Sequence, residues 1–451
     1  MKFFMSIILL CWGINAYCGS DIKEMNWDDV EVTWVNNNDR LPIYTMTIYF
    51  GDGALGDGKV YGLTKTALTL LRSGTNRYNQ EEVTDALEFY GTKFSESVTH
   101  EYSTLSVSGL VKDIVPTVKM VCHLLNDTIY PKNEVIKYKR RFKNEIRNLV
   151  ADPRKLASRI FRQVTLKDTP WMYPADGNLK GIGSITKEKL KNRLTFLNTN
   201  VKKRIYISGP SEVLKIKNLL KKDCHWSNES KEFVRKVARI PRKEVPGGII
   251  FVPVKMANQA QIRVGGSLLG GDLSYPDKNE VVASFLGGGF TSILMEYLRK
   301  KNPYTYGAYA FAASQRDYGR RGIITSTRNE TVINVLSTIK SVIGEATAGK
   351  FGVQRMQQNI MYLAGSSLFQ FEQDENFLNR LLHYDHVGRN YDEIYSYPER
   401  IQKFNHSELL ETLGNIFDWD RQTIVVLGHK SLFKKLKKWG PTRLLKHKLF
   451  L

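Results

Sequence analysis

Residues 62–75 read Gly62-Leu63-Thr64-Lys65-Thr66-Ala67-Leu68-Thr69-Leu70-Leu71-Arg72-Ser73-Gly74-Thr75, a short apolar segment enclosed by two glycines. On a helix, residues three and four positions apart are neighbours, so Lys65, Leu68 and Thr69 would share one face. A hydrolytic zinc needs imidazole, thiolate or carboxylate ligands and a base near its water. Because Lys65 is cationic and Leu68 has no donor atom, this face is predicted to bind no zinc.

The composition describes a globular protein with more than one domain. A chain of 451 residues exceeds one ordinary hydrophobic core, and 42% hydrophobic with 25% charged residues excludes a disordered or membrane-embedded chain. The net charge is +21, and the basic residues are dispersed, with local concentrations at 137–143, 215–222 and 430–448. A basic surface would attract anionic lipid headgroups, lipopolysaccharide or nucleic acid. No nucleic-acid module accompanies this charge, so we expect no nucleic-acid partner and interpret it as a solvated basic surface.

Residues 1–20 are predicted to be a secretory signal peptide. Lys2 supplies a positive start, residues 3–12 form an apolar run too short to span a bilayer, and small residues follow. Cys18 suggests lipidation, but Tyr17 before it is bulkier than the usual lipidation signal allows. No later apolar stretch reaches bilayer length, so we expect a soluble, secreted protein of the periplasm without stable membrane insertion.

Two cysteines, Cys122 and Cys224, would remain after removal of this segment. Cys122 lies in an apolar helical run, whereas Cys224 lies in a charged segment. A disulfide between them is therefore not expected, and the fold is predicted to form without one.

The two halves of the chain repeat each other at an offset of roughly 215 to 220 residues. Strand 43–50, which ends at Gly51, matches segment 257–264, which ends at Gly265, and strand 203–209 matches strand 423–428. Helices are predicted over 79–90 and 114–125, and a hairpin over 94–110. These patterns predict an α+β fold in which each half is a mainly antiparallel sheet backed by helices on one face.

The same patterns divide the chain into domains. An N-terminal domain is predicted over 21–228, a linker over 229–247 and a C-terminal domain over 248–451. The linker is rich in charged residues, and Pro241 and Pro246 oppose regular structure there.

The chain resembles the pitrilysin/insulinase superfamily of inverted zincins, which includes the mitochondrial processing peptidases. In that family the first active-site helix carries His-x-x-Glu-His between a Gly-Leu-Ala entry and a Gly-Thr exit. On this frame Lys65 and Thr69 take the zinc-binding His positions, and Leu68 takes the catalytic Glu position. Similar segments extend over nearly all of the mature chain, at 81–91, 168–174, 286–292 and 395–401. The resemblance implies two homologous α/β-roll domains that form a clam-like cleft, in a non-catalytic family member.

The third zinc ligand of the family is a Glu, and its spacing from the second His matches Glu145 relative to Thr69. Tyr138 takes the place of an auxiliary Glu seven residues earlier. One carboxylate cannot hold a catalytic zinc, which needs three protein ligands, so we expect no metal in this chain. Glu145 is interpreted as a helix-face residue paired with Arg141, Lys143 or Lys65.

The second half matches the family's Arg-x6-Tyr pair at Arg299 and Tyr306, which the resemblance assigns to hydrogen bonds with the substrate carbonyl. Pro303 is expected to end the helix of Arg299 and Tyr306 to begin the next strand, so that both side chains converge. The structural alternative is that Arg299 is a helix C-terminal cation and Tyr306 a core aromatic. Gly287, Gly288 and Gly289 are interpreted as a flexible segment that gives peptides access.

Two functions stay open at this point. The first is a non-catalytic, substrate-binding subunit of a heterodimeric zinc metalloendopeptidase that acts on peptides or small unfolded proteins, with zinc in its catalytic homologue. The second is a stand-alone peptide-binding or scaffold protein, which would capture extended peptides at a sheet edge. Two other patterns are set aside. The glycines of 51–56 lack the helix that a dinucleotide site needs, and His383 and His386 lack a third ligand and are interpreted as a surface or core pair.

Overall fold

A computed structural model describes residues 21–27, 30–37, 41–226, 233, 247–255, 258–367, 369 and 373–451. The predicted signal peptide (1–20) lies outside the described residues, and so does the predicted linker (229–247) apart from Phe233 and Gly247. The exact domain boundaries therefore stay predictions.

The described part of the first half contains six strands and eight α-helices. The strands are β1 (Asp21–Trp27), β2 (Val30–Asn36), β3 (Ile43–Phe50), β4 (Lys93–Val98), β5 (Ser103–Leu110) and β6 (Lys203–Gly209). The helices are α1 (Leu63–Thr69), α2 (Gln80–Phe89), α3 (Ile114–Asp127), α4 (Lys132–Asn148), α5 (Pro153–Thr165), α6 (Leu179–Gly183), α7 (Lys187–Thr199) and α8 (Lys217–Lys222).

The described part of the second half adds six strands and nine α-helices. The strands are β7 (Gly248–Pro253), β8 (Gln259–Leu268), β9 (Ala308–Ser314), β10 (Gly319–Arg328), β11 (Thr423–Gly428) and β12 (Thr442–Leu444). The helices are α9 (Pro276–Gly287), α10 (Ile293–Met295), α11 (Val332–Thr347), α12 (Gly352–Ser367), α13 (Asp374–His386), α14 (Asp392–Tyr395), α15 (Tyr397–Gln402), α16 (His406–Phe417) and α17 (Leu432–Trp439).

The two sheets have matching strand orders, β1-β2-β6-β3-β5-β4 and β12-β7-β11-β8-β10-β9. In each half the last long strand, β6 or β11, is inserted between the earlier strands and runs parallel to one neighbour and antiparallel to the other. The outermost strands differ, because β1 is antiparallel to β2 whereas β12 is parallel to β7. The predicted α+β fold, with two homologous domains in a clam-like arrangement, is confirmed, and β4 and β9 are equivalent sheet edges.

Local sequence signals account for several element boundaries. Asn79 and Glu82 form a reciprocal capping box at the start of α2, so two of the backbone N–H groups at this helix start are satisfied. The predicted helix over 114–125 is α3, and the predicted hairpin is the β4–β5 pair. In the basic segment that leads to residue 222, Ser211–Ile216 is a 3-10 segment and Lys217–Lys222 is α-helical.

Each half packs one helix on the sheet of the other half. Helix α5 of the first half lies against β8 and β11, and its Leu156, Ile160 and Phe161 share an apolar cluster with Val425 and Leu427. Helix α13 of the second half lies against β3 and β6, where the apolar side chains of Phe377 to Tyr384 join Tyr49 and Tyr206. Because each sheet buries a face against a helix from the other half, the two halves form one packed unit.

A buried polar cluster also joins the halves. His386 of α13 contacts the Glu101 carboxylate through Nε2 at 2.7 Å and the Tyr49 hydroxyl through Nδ1 at 3.0 Å. Burial alone would raise the pKa of Glu101, but the hydrogen bond and charge of His386, with a backbone N–H of Asp317, hold it below its usual value. Of the two histidines interpreted as a surface or core pair, His386 is buried and His383 is half-buried.

The expectation that Cys122 and Cys224 stay unpaired is wrong. A disulfide links them across 102 residues, and both side chains are buried. Although the segment around Cys224 is rich in charged residues, it is partly buried. Trp226 is also buried, and its indole N–H donates to Asn198 Oδ1. The segment after α8 therefore packs on α3 and α7.

Candidate functional site

A buried ion-pair network fixes the start of α1. Asp57 accepts hydrogen bonds from the backbone N–H groups of Gly62 and Thr64, and Arg193 binds Asp52 at 2.8 Å. Gly62 has φ of +91°, and a Cβ there would lie 2.6 Å from the backbone oxygen of Asp176. Only glycine fits this position, because a side chain would be both strained and in collision. The loop over 51–57 therefore holds the start of α1 in place through Asp52 and Asp57. This structural role is consistent with the interpretation that these glycines do not bind a nucleotide.

Lys65 and Thr69 on α1 both contact one carboxylate, that of Glu96 on the edge strand β4. Lys65 Nζ lies 3.2 Å from Glu96 Oε1, and the Thr69 hydroxyl donates to the same oxygen at 2.9 Å. Lys65 also donates to the Glu96 backbone oxygen at 3.3 Å. A half-buried ammonium, a hydroxyl and a carboxylate therefore occupy the helix face that carries the zinc ligands in the family that the sequence resembles.

Leu68 and Tyr138, at the positions of the catalytic and auxiliary Glu, belong to the hydrophobic core. Both are buried and share one apolar cluster with Phe142 and Ile146 of α4. Burial raises the pKa of Tyr138, and a hydrogen bond with Thr66 only partly opposes this, so its phenol stays neutral. Neither side chain can activate a water molecule.

Glu145 points to solvent, with a side chain that is 63% exposed, and pairs with Arg141 at 3.7 Å. Of its three proposed partners, Arg141 is therefore the one that the structure places beside it, since Lys65 pairs with Glu96. The described residues contain no group of three or more His, Cys, Asp or Glu side chains able to hold a metal ion. The donor set of Lys65, Leu68 and Thr69 does not fit a hydrolytic zinc, because a cation and a hydroxyl occupy the two ligand positions and an alkyl group occupies the position of the base.

Arg299 and Tyr306 lie on the surface beside the sheet edge β9. Arg299 is in the π-helical turn Glu296–Lys300, with its guanidinium 5.5 Å from the ring centre of the exposed Phe290. Tyr306 is 85% exposed, so it is not a core aromatic, and β9 begins at Ala308 rather than at Tyr306. Among the described residues no hydrogen bond joins Arg299 to Tyr306, and their convergence on one substrate atom stays a prediction.

The three consecutive glycines have different environments. Gly287 is the buried last residue of α9, and a Cβ there would lie 2.2 Å from the backbone nitrogen of Ala310 in β9. Gly288 follows the helix end, and a Cβ on Gly289 would touch only the Tyr362 hydroxyl, at 4.0 Å. A Cβ on Gly288 would lie 2.3 Å from Ser284 Oγ, so Gly287 and Gly288 are both close-packing residues, and of the three glycines only Gly289 has space around it.

Sequence reasoning missed Glu96 and Arg193. Glu96 had a local signal, since it alternates with Phe94 and Val98 on the inward face of β4, where a carboxylate needs a partner. Arg193 had none, because it lies on α7 more than 100 residues after the loop that it binds.

The chain is similar to proteins of the peptidase M16 group. Residues 203–363 match the family model described as the peptidase M16 inactive domain. The non-peptidase homolog YmxG of Helicobacter pylori is 21% identical over 432 residues, which cover 95% of this chain and 99% of that protein. An uncharacterized zinc protease of Streptomyces coelicolor is 20% identical over 329 residues, 71% of this chain and 70% of that protein.

Solved structures show the same fold. The peptidase M16 inactive domain from Pseudomonas fluorescens aligns with a TM-score of 0.82 at 18% identity, over 91% of this chain and 98% of that one. A protease from Helicobacter pylori aligns with a TM-score of 0.77 at 12% identity, over 91% and 99% of the two chains. These matches show that the chain is similar in sequence and fold to the peptidase M16 inactive domain and to a non-peptidase homolog of that group.

Proposed function

We propose that this protein is the substrate-binding subunit of a heterodimeric zinc metalloendopeptidase that cleaves peptides or small unfolded proteins. Its homologous partner would hold the zinc. One contrast carries the proposal: the metal-binding face of α1 is occupied by the Lys65–Glu96–Thr69 cluster, while Arg299 and Tyr306 stay exposed beside a sheet edge.

The sheet edge suits an extended peptide. In the described sheet β9 pairs only with β10, so one side of its backbone is available for a further strand. Phe290, Tyr306 and Tyr309 are exposed in or beside this edge. Backbone hydrogen bonds would supply affinity, and the aromatic side chains would supply contact area along the peptide.

Arg299 and Tyr306 each present a hydrogen-bond donor. Such donors accelerate hydrolysis when they stabilise negative charge that develops on the substrate carbonyl oxygen. That charge develops only where water is activated, and the described part of this chain has no group placed to do so. The pair is therefore most useful opposite the zinc of a catalytic partner.

The proposed location is the periplasm, or another secreted compartment. The buried Cys122–Cys224 disulfide supports this location, because disulfides persist in oxidising compartments. The predicted signal peptide at 1–20 supports it independently. None of the helices in the described part of the chain combines the length and apolar character of a membrane span.

The first experiment measures zinc and activity. The purified chain, analysed for metal by mass spectrometry, is expected to contain no stoichiometric zinc and to cleave no unfolded peptide alone. One tightly held zinc per chain would contradict the proposal.

The second experiment identifies the partner. Affinity purification of the tagged chain from its native extract should recover a homologue with an intact His-x-x-Glu-His motif in equal amount. Its reproducible absence, with peptides bound to the isolated chain, would favour the stand-alone peptide-binding protein instead.

A further inference from the structure

We infer that residues 430–448 form a docking surface for an anionic lipid bilayer, called here the C-terminal basic surface. Between residues 430 and 451 the sequence has eight Lys and Arg residues and no Asp or Glu. This inference does not rely on the proposed peptidase partner, because it concerns a different face of the molecule.

The lysines of α17 are presented outward by the packing of the helix. Leu432 and Leu436 are buried in the core of the second half and fix the helix orientation. The four lysines between and after them are all exposed: Lys434, Lys435, Lys437 and Lys438. No described acidic side chain forms an ion pair with any of these four lysines, whereas many basic residues elsewhere do pair. Their charge is therefore available to an external anion.

Exposed apolar side chains accompany these cations. Leu444 on β12 is 51% exposed and Leu449 is 69% exposed, and Arg443, Lys446 and Lys448 alternate with them as exposed cations. A surface with both cations and protruding leucines matches the boundary between lipid headgroups and acyl chains. A nucleic-acid backbone would use the cations but leave the leucines in water, so the bilayer is the better match.

The position of this surface in the fold is compatible with peptide binding elsewhere. Strand β12 is at one end of the six-stranded sheet and β9 is at the other. Five inter-strand spacings separate them, or about 24 Å. A chain docked through the C-terminal basic surface would therefore keep the β9 edge accessible.

The test measures binding of the full chain to phosphatidylcholine vesicles with and without phosphatidylglycerol, by flotation at about 0.15 M salt. We expect binding only to the anionic vesicles, and weaker binding as salt is raised. The variant K434Q/K435Q/K437Q/K438Q should lower the partition coefficient about tenfold or more, since each lysine near an anionic surface contributes to the attraction.

The matched control removes the same charge from another exposed face. Lys132, Arg140, Lys143 and Arg147 of α4 are exposed and have no ion pair among the described residues. The variant K132Q/R140Q/K143Q/R147Q should bind anionic vesicles within about threefold of the wild type, because only charge near the membrane acts strongly. Equal losses in both variants would overturn a local surface and indicate a general charge effect.

A second variant tests the apolar contribution. L444S/L449S keeps every charge but should weaken vesicle binding about tenfold, because the two leucines lose their burial among the lipids. Unchanged vesicle binding by this variant, or tighter binding of the wild type to duplex DNA than to vesicles at equal salt, would overturn the inference. Circular dichroism and thermal unfolding confirm that each variant is folded.

Discussion

Lys65, Thr69 and Glu96 form a cluster in which charge and hydrogen bonds are satisfied without a metal. The carboxylate of Glu96 receives the ammonium of Lys65 and the hydroxyl of Thr69 on one oxygen. Lys65 is 29% exposed, so this ion pair is screened by water and stabilises the fold only modestly, by roughly 0.5–1 kcal/mol. Its main consequence is chemical, because the site that would polarise water in a related peptidase is occupied by a cation.

Arg299 and Tyr306 carry the sharpest prediction at the scale of residues. In the proposed heterodimer, reconstituted with its catalytic subunit, Arg299→Ala and Tyr306→Phe should each lower turnover about a hundredfold, since losing one oxyanion donor costs roughly 3 kcal/mol. The folded state should be little affected, because both side chains are exposed. The measurement is kcat for cleavage of an unfolded peptide by the intact heterodimer.

Glu145→Gln is the control for this comparison, because the exposed Glu145 side chain pairs only weakly with Arg141 and should be nearly silent. Wild-type turnover in both cleft variants, with the heterodimer intact, would assign Arg299 and Tyr306 to surface roles. A loss of folding instead of turnover would lead to the same conclusion.

His100 gives a pH dependence of stability. It is buried, with Nε2 2.7 Å from the Tyr173 backbone oxygen and Nδ1 3.1 Å from the Tyr318 hydroxyl of the other half. Burial, with the nearby charge of Arg162, lowers its pKa from 6.5 to about 4. The unfolded chain therefore binds a proton first, so stability is full above about pH 7 and falls as the pH decreases from 6.5 to 4.

The expected contribution of His100 to this loss is on the order of 3 kcal/mol across that interval. His100→Gln keeps one donor and one acceptor but does not titrate, so its free energy of unfolding should depend less steeply on pH than that of the wild type. Urea unfolding at several pH values between 4 and 7 measures the difference. Parallel curves for the two proteins would show that His100 is not the titrating group.

At the scale of elements, the disulfide fixes the end of the first half. It joins the middle of α3 to the segment after α8 and closes a loop of 102 residues. Together with the hydrogen bond from Asn126 to the Asp223 backbone oxygen, it holds that segment on the helical layer. The chain therefore enters the linker from a fixed position.

Removing this link should destabilise the protein. Cys122→Ser with Cys224→Ser is expected to lower the free energy of unfolding by about 2–5 kcal/mol, because the unfolded chain regains the freedom of a long loop. Reductant should lower the stability of the wild type towards that of the double variant and leave the variant unchanged. Urea unfolding with and without reductant measures both effects, and equal stabilities throughout would contradict the assignment.

At the scale of the whole molecule, the two halves are joined by side-chain packing as well as by the chain between them. Helix α5 of the first half packs on the sheet of the second, and α13 of the second half packs on the sheet of the first. Helix α5 covers an apolar face of the second sheet, and α13 covers an apolar face of the first sheet. The His386–Glu101 contact is buried between the two halves. In either half alone, one face of the sheet would stay buried in its own core, but the other face and the exchanged helix would be exposed. The duplicated halves are thus structural repeats without being independent folding units.

The corresponding prediction concerns isolated halves. Fragments 21–228 and 248–451, expressed separately, should aggregate or lack cooperative thermal unfolding, because each exposes a large apolar sheet face. Co-expression should recover a soluble complex. The full chain should unfold in one transition by circular dichroism and fluorescence alike. A stable isolated half with a sharp transition would contradict this account.

The sequence alone determined the fold class and the donor chemistry at positions 65, 68 and 69. Alternating apolar and polar residues predict strands, because the side chains of a strand point to opposite faces in turn. The matching segments of the two halves do form strands, namely β3 and β8, and β6 and β11. The identities of Lys65, Leu68 and Thr69 exclude zinc by their chemistry, whatever their surroundings.

Only the tertiary structure decided which distant groups meet. Four features join segments that are far apart in the chain. They are the Lys65–Glu96 pair, the Cys122–Cys224 disulfide, the His386–Glu101 contact and the packing of α5 and α13 on the sheets of the opposite halves. The physical reason is that local patterns specify which face of an element is apolar, but not which other element covers it. For Cys224 the surrounding charges argued against a disulfide, but the rest of the molecule buries this residue beside Cys122.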